Sequence, residues 1–92
     1  LERELLALFA QQCVRHLRTI HATEDAQAKM DAAHTLKGAA RAIGAWHVAD
    51  AADAIEQHLA ATDARRAETA MDALALAAAE VRAVISRLDC AA

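Results

Sequence analysis

His34-Thr35-Leu36-Lys37-Gly38-Ala39-Ala40-Arg41-Ala42-Ile43-Gly44 holds both glycines of the chain, within ten residues after one histidine. The residues around them are mostly alanine and other good helix formers. A glycine inside a helix costs about 1 kcal/mol relative to alanine, so Gly38 in mid-helix calls for a reason. It lies four residues on from His34, beside the imidazole on one helix face. The reason inferred is access: with no side chain there, a second protein can bring a reactive group up to the ring. Gly44 reads differently, as a helix C-terminus where glycine accepts a left-handed backbone.

Working outward, the apolar spacing predicts four helices. The first spans about Glu2 to Ala22, with Leu5, Leu6, Phe9, Cys13, Leu17 and Ile20 as its inner stripe. Thr23 and Asp25 are capping types, and the second helix runs from there to about Ile43. The third covers about Ala45 to Ala60, facing in through Val48, Ala52, Ile55 and Leu59. Thr62 and Asp63 make the next turn and cap. The fourth runs from about Ala64 to Leu88, with Met71, Leu74, Ala78, Val81, Ile85 and Leu88 inside. Connections of two to four residues make neighbouring helices antiparallel. The expected fold is all-α, an up-down-up-down four-helix bundle forming one domain over residues 1–92.

Composition excludes several classes. There is no proline or tyrosine, and one residue each of phenylalanine and tryptophan, which disfavours a sheet. A net charge of −3 argues against nucleic-acid binding. No apolar run approaches the ~18 residues of a membrane span, and no signal-peptide pattern is present. Cys13 and Cys90 are too few for a disulfide framework; both read as free thiols, Cys13 as a core residue and Cys90 as far from it along the bundle. Trp46 is expected as a hydrophobic anchor at the start of the third helix, the alternative being a partly exposed ring that touches a partner. The chain begins with leucine, which is read as a segment of a longer protein.

The second turn centres on Ala45. His34 lies eleven residues before it and Glu56 eleven after, so antiparallel helices bring the two to one height. His34, Lys37 and Arg41 fall at i, i+3 and i+7, one stripe. Taken singly, His34 reads as an exposed helical histidine like His16 or His21, and Lys37 and Arg41 as solvated charges. In register with Gly38 they have the parts of a phosphoryl site. Neutral imidazole is a nucleophile near its ordinary pKa of about 6.5. A carboxylate at one ring nitrogen fixes the tautomer, the role given to Glu56. Lys37 and Arg41 can neutralise phosphoryl oxygens. No histidine pair has the helical spacing of metal ligands, and no metal is assigned. There is no Gly-rich phosphate loop, so no nucleotide site is assigned.

This segment resembles the histidine phosphotransfer (HPt) domain family. The shared pattern is His34, Leu36, Lys37-Gly38, the small Ala39 and Ala40, and Gly44 ten residues past the histidine. An Ala-rich third helix then ends in Ile55-Glu56. The resemblance implies that His34 is the phospho-acceptor, through Nε2, and Lys37 the phosphoryl-stabilising base. Gly38 is then the steric gap, Gly44 the tight turn and Glu56 the group contacting the histidine. The function it implies is a shuttle in a two-component phosphorelay, without autonomous kinase activity. His34 takes the group from a receiver-domain aspartate and yields it to another receiver. It needs no cofactor of its own, the Mg²⁺ being supplied by the receiver. Expected partners are response-regulator receiver domains, with no nucleic acid and no direct membrane contact. The domain is expected to be monomeric and cytoplasmic, in a parent chain such as a hybrid sensor histidine kinase. The alternative is a non-phosphorylated helical docking or dimerisation module.

Overall fold

Capping and turn chemistry divide the chain where its apolar periodicity breaks. The computed structural model describes residues 2–90, and side chains over residues 3–88. Four helices follow in order: α1 (Glu2–Ala22), α2 (Ala26–Ile43), α3 (Trp46–Ala60) and α4 (Ala64–Cys90). Asp25 caps α2, its Oδ1 accepting from Gln27 N at 3.0 Å. Asp63 does the same for α4, accepting from Arg66 N at 3.1 Å. Such a cap satisfies a backbone donor that the first helical turn otherwise leaves without a partner.

The α2–α3 turn is two residues long. Gly44 stands at φ +78°, ψ +20°, a backbone that side-chain-bearing residues adopt at a cost. This lets Ala45 N donate to Ala40 O at 2.8 Å, closing α2. α3 ends the same way without a glycine: Thr62 takes φ +54° and Asp63 N donates to His58 O at 2.8 Å.

Each helix packs on two neighbours: α1 on α2 and α4, α3 on α2 and α4. Among the described residues no diagonal pair brings its backbones together, which is the square section expected of an antiparallel four-helix bundle. α2 buries Ala32, Ala33, Leu36 and Ala40. α3 meets it with Val48, Ala49, Ala52 and Ile55. The small alanines let these two helices approach closely. Phe9, Cys13 and Ile20 of α1 and Met71, Leu74 and Ala78 of α4 complete the core. No charged or polar side chain is buried whole among the described residues.

Three expected core positions are corrected. Leu5 is 55% exposed and Leu88 46%. Both lie at the end of the bundle where α4, with 27 residues, outlasts α3, with 15. A periodic stripe there continues past the helices it would pack on. Trp46 is 60% exposed rather than an anchor. As the first residue of α3 it lies over the turn, its Nε1 3.9 Å from where a Cβ on Gly44 would stand. Cys13 is fully buried, as expected. Cys90's side chain is outside the described residues. No described helix is long and apolar enough to cross a membrane.

Candidate functional site

The buried face of α2 fixes where its polar residues stand. At ~100° per residue, His34 lies roughly 125° from the middle of the Ala33–Leu36–Ala40 face, Arg41 roughly 105°, Lys37 roughly 65° and Gly38 roughly 165°. Lys37 is thus at the core's edge, on the flank facing α3, while His34, Gly38 and Arg41 face solvent.

The contacts follow this order. The His34 side chain is 72% exposed, and its Nδ1 lies 3.1 Å from Glu56 Oε2. The equal-height expectation for these two residues holds. A carboxylate oxygen accepts, so the contact is a hydrogen bond in the tautomer protonated at Nδ1, which leaves the Nε2 lone pair free. Among the described residues Nε2 has no hydrogen-bond partner.

Lys37 reaches across to α3. Its ammonium sits 2.7 Å from Glu56 Oε1 and 3.1 Å from Asp53 Oδ1, with the side chain only 14% exposed. Glu56 Oε1 is itself buried and makes no well-aligned hydrogen bond, so the close ammonium is what compensates it. The close carboxylates of Glu56, then Asp53, hold the Lys37 pKa above the usual lysine value. Asp53 Oδ2 in turn accepts from Gln57 Nε2 at 2.7 Å.

Gly38 and Gly44 serve different ends. A Cβ built on Gly38 meets nothing within 4 Å, so the backbone there faces open space. Gly44 is favoured by its φ of +78°. Arg41 is exposed and has no ion pair among the described residues. Arg41 lies two turns on from His34 along the same stripe. Gln27 pairs with Asp31 at 2.8 Å one turn before the histidine.

The site therefore joins His34, Lys37 and Glu56, with Gly38 and Arg41 beside them. Asp53 and Gln57 are additions that the sequence analysis missed. The signal for Asp53 was available: Lys37 and Asp53 each lie eight residues from Ala45, so the count that pairs His34 with Glu56 pairs these as well.

Fold and site define a class, an antiparallel helical bundle with an exposed histidine on its flank. The Hpt domain family model matches residues 4–89, and the chain belongs to that family. Its members are histidine phosphotransfer domains, phosphocarriers of phosphorelays that interact with receiver domains. Searches among curated proteins and among solved structures give no match.

Proposed function

We propose that His34 is the phospho-acceptor and that the domain shuttles a phosphoryl group between receiver aspartates. The observation that carries this reading is the exposed ring whose Nδ1 faces a carboxylate at 3.1 Å. Nε2 attacks phosphorus of an aspartyl phosphate; the Nε2–P bond forms, and the P–O bond breaks with its electron pair leaving on the aspartate. The ring becomes cationic while Nδ1 keeps its proton. Glu56, already placed at that proton, stabilises the positive charge as it develops, the part a carboxylate plays behind a catalytic histidine elsewhere. No proton has to move.

The other residues divide the remaining work. Gly38 leaves room for the receiver's acidic loop. Arg41, free of ion pairs, is the cation available to meet phosphoryl oxygens from outside. Lys37 contributes from behind, its positive charge held beneath the ring by two carboxylates. Mg²⁺ comes from the receiver's acidic pocket. The receiver docks on the outer face of α2 and α3.

Incubation with a phosphorylated receiver tests this. The wild-type domain takes up label in an acid-labile, base-stable linkage, and His34→Gln takes up none. Labelled His34→Gln would place the acceptor elsewhere. A folded wild type that no receiver labels would favour the docking-module alternative.

A further inference from the structure

We propose that Asp53 is a positioning residue for the transfer at His34, acting through Lys37 and Glu56. The proposal rests on the reading of His34 as the acceptor.

The lysine ammonium is a compact charge on a flexible four-carbon stem, free to swing about a single partner. Here it has two, on successive turns of one face of α3: Glu56 Oε1 at 2.7 Å and Asp53 Oδ1 at 3.1 Å. Asp53 is itself held, its Oδ2 accepting from Gln57 Nε2 at 2.7 Å. The result is a chain of contacts from Gln57 through Asp53, Lys37 and Glu56 to His34 Nδ1.

Each link constrains the next. Asp53 holds the ammonium from the side away from the histidine, and the ammonium holds the buried Oε1. A carboxylate is planar, so pinning Oε1 also pins Oε2, the oxygen 3.1 Å from Nδ1. Neutralise Asp53 and the ammonium keeps one partner, Glu56 Oε1, about which it is free to swing. The Glu56 carboxylate then turns, and Nδ1 loses its fixed acceptor. The imidazole proton spreads over both nitrogens, and the form protonated at Nε2 has no lone pair on that outward nitrogen to attack with. Asp53 touches neither the ring nor an incoming phosphoryl group; its influence passes through the two side chains between.

Long-range proton–nitrogen NMR on the histidine-labelled domain, at mildly alkaline pH, reads the tautomer of His34 directly. The signals are assigned by their loss in His34→Gln. The wild type is expected to show a protonated Nδ1 and a bare Nε2. Asp53→Asn is expected to shift the ratio toward the other tautomer by about tenfold, the worth of one charge-assisted hydrogen bond. Phosphoryl uptake from a labelled receiver should fall by a similar factor. Asp53→Ala, which favours helix, repeats the test if the asparagine variant folds poorly. Asp53→Glu keeps the charge and is expected to retain most of the wild-type ratio.

Unchanged ring nitrogen shifts in both Asp53→Asn and Asp53→Ala would overturn the positioning role, even with slowed uptake. The shifts are read without phosphorylation. Altered shifts in a domain whose wild type never accepts label would support the positioning of the ring and overturn the acceptor reading alone.

Discussion

Replacing Gly38 should move stability and transfer in opposite directions. The position is in mid-helix and exposed, and an added Cβ meets nothing within 4 Å. No steric term opposes the change, so helix propensity alone sets the outcome: about 1 kcal/mol in favour of Gly38→Ala. Much of that gain comes from the narrower unfolded ensemble. For a domain of this size it corresponds to a rise of about 4–8 °C in Tm. Gly38→Leu should stabilise nearly as much. Its side chain, however, stands in the open space through which the proposed receiver would approach. Forcing extra volume into a complementary contact costs about 1–3 kcal/mol, which slows transfer roughly 5- to 150-fold. Circular dichroism melts give the first number, and label transfer from a phosphorylated receiver gives the second. A fall in Tm for Gly38→Ala would show that the glycine serves packing. Wild-type transfer by a folded Gly38→Leu would show that the bare backbone is not an approach path.

Other perturbations separate orientation from chemistry. Glu56→Ala should leave transfer measurable but slower by about tenfold, since orientation is lost while the nucleophile remains; unchanged single-turnover kinetics would remove Glu56 from the mechanism. Burial pushes the Cys13 thiol up from an ordinary 9.0 to about 11. A raised folded-state value gives stability that is complete below 9.0 and lost as pH climbs toward about 11. Urea melts should therefore show the wild type declining over that range more steeply than Cys13→Ala, and parallel declines would count against the assignment. Lys37 adds a loss of the same sign above 10.5, through its Glu56 and Asp53 partners.

The helices were legible because their punctuation is local. Asp25, Gly44 and Asp63 each act within one turn, so residue type and spacing sufficed. The pairing of His34 with Glu56 was legible for a related reason: two short antiparallel helices with a known turn leave a single free count. What the sequence hid depends on what stands opposite. Leu5 and Leu88 fit their stripes, but periodicity does not tell where the facing helix stops. Trp46 looked like an anchor from its size, whereas its place at the first turn of α3 leaves most of the ring in water. Lys37 shared a stripe with His34 and Arg41, yet it stands nearest the core edge of the three. Two carboxylates on α3 then decide where its ammonium goes, and only tertiary structure brings them there.

The brevity of the Gly44–Ala45 connection makes it a ruler. One residue inserted there would slide α3 by about 1.5 Å and rotate it by about 100° against α2, uncoupling His34 from Glu56 and Lys37 from Asp53 in a single event. The links before α2 and after α3 carry no such burden, because no site residue is measured across them. Length variation in this domain is therefore cheap at two of its bends and ruinous at the third.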